Sequence, residues 1–177
     1  LAPACGVLAK TDRVDARVLA AMGERLDLRR SQPPEPGRQR LADLVAYRTS
    51  LRDTLTAEQL RLQTVRDAWV RRQVSAAIRT LCLRLKRAEA EIERHKKADE
   101  TLASLDARLQ TAPGVGPQGA SILIACLPEL GQVDRRAIAS LAGLAPHACE
   151  SGIRTGRRRI WGGRHPVRRA MYMAALV

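Results

Sequence analysis

RQRLADLVAYRTSLRDTLTAEQLRLQTVRDAW, residues 38–69, sets the architecture of the chain. Leu41, Leu44, Leu51, Leu55, Leu62, Val65 and Trp69 follow alternating steps of three and four, with Arg48 and Glu58 filling two positions of the same seam. Apolar residues at that spacing fall along one side of an α-helix. A second run continues through Val74, Ile78, Leu81, Leu85, Ala88, Ile92, Leu102, Leu105 and Leu109, broken by His95 and Asp99. About 35 residues of helix reach roughly 50 Å. A narrow seam of that length cannot bury itself, so it pairs with its own other half or with another chain. The spacing predicts a coiled coil or helical hairpin over 38–110 that turns near 68–76 and also serves self-association. No Gly or Pro marks that turn, so one continuous helix is the other solution.

Outward from this seam, SQPPEPG at 31–37 reads as a linker, because three prolines and a glycine forbid a helix there. Residues 1–30 begin with a short apolar stretch and continue as a helix, with Asp12 as its cap and Asp15 in its first turn. Residues 111–177 read as a small helical domain. PGVGP at 113–117 breaks the preceding helix, short apolar helices follow at 120–127 and 137–142, and 143–163 is mostly irregular. The chain is helical again from 167. The fold class expected is mainly α.

The net charge of +13 and a pI near 11.0 point to a polyanionic partner, nucleic acid first. Arg outnumbers Lys 27 to 4. A planar guanidinium fork suits phosphate. A GC-rich genome accounts for part of that ratio but not for the positive sum. Aromatic residues are 2% of the chain, with no Phe, so stacking of bases is not the main mode of contact. Cys5, Cys82, Cys126 and Cys149 are far apart and make neither a zinc pattern nor a disulfide framework. Reduced cytoplasm fits them. No apolar run approaches the length of a membrane span. Leu1 in the place of an initiator Met, and MYMAALV breaking off within a helical pattern, read as an internal segment of a longer protein.

Four features carry chemistry. PGVGPQGA at 113–120 resembles the turn of a helix-hairpin-helix element, in which Gly114 and Gly116 let backbone approach a phosphate. A plain turn between helices is the simpler account. Asp12 and Asp15 share one face of a helix and suit Mg²⁺; capping and the helix dipole explain the same two acids. Ser151 stands before Gly152 with no histidine base adjacent, so a hydrolase triad is poorly supported. It is equally a turn serine. From Ser151 to the chain end there are seven arginines and no acid: Arg154, Arg157, Arg158, Arg159, Arg164, Arg168 and Arg169. A serine attacking phosphate needs such charge neutralisation more than a triad. Clustering about Gly162-Gly163 favours a phosphate-lined groove over a merely solvated surface.

Together, AKTDRVDARVLA at 9–20, the long helical middle, PGVGPQGA, and GLAPHACESGIRTGRRRIWGGRHPVRRAMYMAAL at 143–176 resemble the bacterial insertion-sequence transposases of the DEDD type, the IS one-ten family, whose members include bridge-RNA-guided recombinases. The resemblance covers nearly the whole chain. It implies the end of a RuvC-like nuclease domain at 1–30, a helical connector at 38–110 and a serine domain at 111–177. It implies that Asp12 and Asp15 are the last two of four Mg²⁺-binding acids, the first two lying upstream of this chain. Ser151, with Gly152 and Gly156, matches the serine that forms a covalent phosphoserine link to DNA. The implied partners are DNA, a guide or bridge RNA, and further copies of the chain, in bacterial cytoplasm at the nucleoid. With half its acids, the segment alone is expected to be inactive. Two rival readings are a non-catalytic nucleic-acid-binding module that dimerises through the coiled coil, and a RuvC-like resolvase of branched DNA.

Overall fold

The computed structural model describes residues 11–25, 35–148, 150–151 and 154–177, with the backbone alone at 150–151 and 154–155. Cys5, Lys10, Cys149, Gly152 and residues 31–34 of the linker lie outside the described residues. The chain divides into two compact units, Leu1–Pro33 and Pro34–Val177.

In the first unit, α1 (Asp12–Arg25) is capped by Thr11, not Asp12. The amides of Val14 and Asp15 donate to the Thr11 carbonyl at 2.9 Å, and the Val14 amide also lies 3.4 Å from the Thr11 hydroxyl. The expected cap is thus one residue out. Thr11 supplies the hydroxyl an N-cap needs, and Asp12 becomes the first residue of the helix.

The second unit is built on a helical hairpin. Pro36 opens α2 (Pro36–Thr64), where its missing amide costs nothing. The chain reverses at 65–67 and returns as α3 (Ala68–Ala98). The turn falls just ahead of the expected 68–76 and uses neither Gly nor Pro. Val65 and Asp67 are extended, and the Asp67 carboxylate accepts from the Val70 amide at 2.8 Å. Arg71 closes the other side, donating to the carbonyls of Leu62 and Val65 at 3.0 and 2.9 Å.

Leu51, Leu55, Leu85 and Ala88 form one buried cluster inside the hairpin. This part of the seam is therefore buried within the chain itself. Trp69, expected in that seam, is 62% exposed, because it follows the turn on the outer side of α3. Arg48 occupies its seam position by pairing with Glu89 at 2.8 Å. Glu89 also accepts from Gln118, which links α2 and α3 to the next layer.

Asp99 ends α3 and caps α4 (Glu100–Gln110), accepting from the Leu102 amide at 3.1 Å. The break at Asp99 lets α4 fold back. Lys96, only 1% exposed, bridges the junction with its ammonium 2.7 Å from Asp106 and 2.8 Å from Glu93. A buried charge persists only when paired in this way. His95 meets the Gly37 carbonyl at 2.7 Å, fixing the start of α2 to this corner.

The polar interruptions of the second run, His95 and Asp99, thus hold the corner together. α5 (Pro117–Cys126) packs on α2 and α4. Leu41, Val45, Ile92, Leu102 and Ile124 make the core they share. The segments 38–110 and 111–177 therefore share one core. α6 (Arg135–Leu141), capped by Asp134, and α7 (His165–Ala175) close a further cluster of Leu123, Leu127, Ala142 and Val167. Among the described residues no helix is long and apolar enough to cross a membrane.

A candidate phosphate-contacting loop and an acidic pair

Between α6 and α7 the chain forms an antiparallel excursion where the sequence predicted mostly irregular backbone. β1 (Pro146–His147) pairs with β4 (Arg159–Ile160), and β2 (Glu150–Ser151) pairs with β3 (Arg154–Thr155). The registers are Pro146 with Ile160, His147 with Arg159, Glu150 with Thr155 and Ser151 with Arg154. Strands of two residues are too short to show an alternating pattern in sequence.

The base of this excursion is fixed by backbone crossing. Gly143 and Gly163 both have positive φ, near 70°. A Cβ on Gly163 would lie 2.2 Å from the Gly143 nitrogen. No side chain fits there, so the two legs meet only because both positions are glycine. The Arg164 amide donates to the Leu141 carbonyl at 2.8 Å, which ties the returning leg to α6.

The arginines divide into two groups. Arg164 makes a two-pronged pair with Glu129 at 2.5 and 2.7 Å and donates to the Cys126 carbonyl at 2.9 Å. Donating to the Glu129 carboxylate raises the already high pKa of Arg164, against a smaller opposing effect of burial. Burial also pushes the Cys126 thiol up, partly offset by the Arg164 charge. Arg168 donates to the Gly162 carbonyl at 2.5 Å and lies against Gly143. Its Nε is buried without a partner. The expectation that Arg164 and Arg168 line a phosphate groove is therefore revised: their guanidinium groups hold the excursion to the helical core.

The others stay available. The side chains of Arg157, Arg158 and Arg159 are exposed and, among the described residues, make no hydrogen bond or ion pair. Arg169 is exposed and lies 3.9 Å from Asp53, a long contact between two solvated side chains. Such a pair contributes little. Ser151 is placed by its backbone at the end of the ladder away from its base, paired with Arg154; their side chains lie outside the described residues. The His147 ring rests 5.4 Å from that of Trp161, tilted by 60°. His147 is thus packed beside β4, a contact that nothing in its sequence neighbourhood signals.

The segment 113–120 gives its two glycines different roles. Gly114 has φ +78°, and a Cβ there would lie 2.0 Å from the Ala174 carbonyl oxygen. What approaches Gly114 so closely is the end of α7, which corrects the expected approach of a phosphate. Gly116 is the extended N-cap residue of α5 and faces open space. No side chain caps the first turn of α5. Gln118 in that turn donates to Glu89 at 3.0 Å, which brings a carboxylate close to the same edge.

In the other unit, Asp12 is exposed and Asp15 half-buried, one turn apart in the first turn of α1. Because Thr11 does the capping, neither carboxylate is needed for it. Two carboxylates with hard oxygen donors fit Mg²⁺, which takes one or two carboxylates and fills its remaining positions with water or phosphate oxygen. Among the described residues no third His, Cys, Asp or Glu joins them.

Residues 106–177 match the family model described as Transposase IS116/IS110/IS902 family. Residues 6–68 match a second model, the DEDD transposase of the IS110 type. The first match covers α5, α6, the ladder with Ser151, and α7; the second covers α1 with both aspartates, and α2. A comparison with curated proteins found no match.

Proposed function

From a chain that belongs to the IS116/IS110/IS902 transposases, we propose that Ser151 is the nucleophile of a DNA strand exchange and that Asp12 and Asp15 hold Mg²⁺ for it. The family's business is DNA transposition, so DNA is the partner. The observation that carries the finer reading is the pairing of Ser151 with Arg154, followed along the chain by three arginines with exposed side chains.

The step is a transesterification. The Ser151 oxygen forms a bond to phosphorus and its proton passes to solvent. The bond from phosphorus to one sugar oxygen breaks, and that oxygen takes up a proton as a free strand end. Attack of a sugar hydroxyl on the phosphoserine reverses the exchange and rejoins DNA, so no nucleotide cofactor is consumed. Arg157, Arg158 and Arg159 bind the phosphate oxygens on which charge accumulates. Asp12 and Asp15 hold the cation by their carboxylates. When bound, Mg²⁺ supplies further neutralisation of the scissile phosphate. Arg164, through Glu129, keeps the ladder fixed to the helices.

Strand cleavage in a transposition-competent preparation tests this reading. Ser151→Ala retains DNA binding and loses cleavage at every Mg²⁺ concentration. Asp12→Asn and Asp15→Asn also lose cleavage, and raised Mg²⁺ restores part of it, since mass action offsets weaker binding. Cleavage by Ser151→Ala at the wild-type rate would overturn the serine and leave a resolvase acting through water, whereas wild-type protein that binds DNA without cleaving it would leave a non-catalytic DNA-binding module.

A further inference from the structure

The turn end of the hairpin is strongly basic. Residues 59–87 contain eight basic side chains and one acid, Asp67. Asp67 is engaged in capping α3. Arg61 is paired with Glu58, and Arg71 caps the end of α2. The side chains of the other six cations are exposed and, among the described residues, make no hydrogen bond or ion pair.

Three of them, Arg72, Arg79 and Lys86, are seven residues apart on α3. At about 1.5 Å per residue they form a straight row with steps of about 10 Å. The row runs opposite the face that buries Val74, Leu85 and Ala88. Beside it, Ala68, Arg71, Arg72, Ser75 and Arg79 border an open depression of about 400 Å³.

Steps of about 10 Å are a little longer than the Debye length of about 8 Å at physiological salt, so repulsion along the row is only partly screened. Among the described residues none of the six pairs with an acid that would relieve it. A second copy docking through the same face would bring two such rows together, so a self-complementary contact there is opposed. A polyanion removes the repulsion. Single strands are held largely by stacking on aromatic side chains, and Trp69 is the one aromatic residue in 59–87. A rigid, regular polyanion suits a straight row better.

We infer that the turn end of the hairpin, through Arg72, Arg79 and Lys86, grips the phosphate backbone of duplex DNA, as a second contact surface besides the ladder at 154–160. The identity of the polyanion rests on the recombinase reading. The contact itself rests on the charge of α3, most of which lies between the two family-matched segments.

The test is the salt dependence of duplex DNA binding by the chain, followed by fluorescence anisotropy. Replacing Arg72, Arg79 and Lys86 with Gln lowers the log–log slope by about 2.7, at about 0.9 per phosphate contact. Helicity and Tm stay at wild-type values, because the three side chains are exposed and unpaired. A parallel variant, Arg157, Arg158 and Arg159 to Gln, separates the two surfaces. A slope that falls only in the α3 variant supports this inference and refutes the loop's role. A slope that falls only in the loop variant overturns this inference and leaves the proposed function standing. A loss seen on duplex RNA or single strands but not on duplex DNA also overturns it, as does a changed oligomeric state with an unchanged slope.

Discussion

Removing the Arg164 guanidinium takes away three hydrogen bonds at once, two to Glu129 and one to the Cys126 carbonyl. The side chains of Arg164 and Glu129 are 34% and 27% exposed. The pair therefore lies between a solvated surface bridge, worth about 0–1 kcal/mol, and a fully buried one whose breakage costs about 3–5 kcal/mol. Its two-pronged geometry argues for the middle of that interval, about 2 kcal/mol. The carbonyl bond adds about 1 kcal/mol. Arg164→Ala is thus expected to destabilise the second unit by about 3 kcal/mol and Glu129→Ala by about 2 kcal/mol, with a coupling of about 1–2 kcal/mol in the double-mutant cycle. Urea unfolding of the four proteins, followed by far-UV circular dichroism, measures all three quantities. The destabilised variants should also lose hydrogen-exchange protection at the Arg164 amide, which bonds to Leu141. A coupling below about 0.3 kcal/mol, within the range in which independent sites simply add, would refute the claim that this pair anchors the excursion. In that case Arg164 returns to the group available for phosphate.

Other consequences are read in the same way. Leu51→Ala and Leu55→Ala should each cost about 2–5 kcal/mol and lower Tm without changing the mass seen by ultracentrifugation, because both residues are buried inside the chain's own hairpin; dissociation of an oligomer with an unchanged Tm would contradict this. Gly163→Ala should unfold the base of the ladder, since its Cβ would meet backbone at 2.2 Å, and an unchanged Tm would show that the crossing relaxes freely. The Cys126 thiol, pushed up by burial, should react with iodoacetamide at pH 8 far more slowly in the folded protein than in urea, with peptide mass spectrometry as the readout. Equal rates would mean that the thiol is open to solvent.

The hairpin was legible in the sequence because its signal is long: three- and four-residue steps sustained over two runs of apolar residues. Its turn was harder to find, because Asp67 and Arg71 make it through capping contacts that leave no Gly or Pro. The cap of α1 was misread for a related reason. Thr11 and Asp12 are both good caps, and only the backbone decides which one stands outside the helix. Short helices at α5, α6 and α7 were found from apolar residues between breakers, within a few residues of their ends. The ladder at 146–160 was invisible, since two-residue strands carry no period. The division of the arginines was equally hidden. Arg164 and Arg158 look alike in the chain, and only the fold brings Glu129, 35 residues earlier, against one of them. Gly114 drew notice as a glycine, but its neighbour, the end of α7, lies 60 residues away in sequence.

The central claim is a covalent bond between DNA and Ser151, and mass spectrometry of the trapped adduct tests it most directly. A cleavage reaction is stopped in denaturant, the DNA is digested to a short remnant, and the protein is cut with trypsin. The account predicts a nucleotide-bearing phosphate on the peptide spanning residues 137–154, AIASLAGLAPHACESGIR, with fragmentation assigning it to Ser151 and not to Ser140. An adduct on any other residue, or efficient strand exchange with no adduct at all, would contradict it.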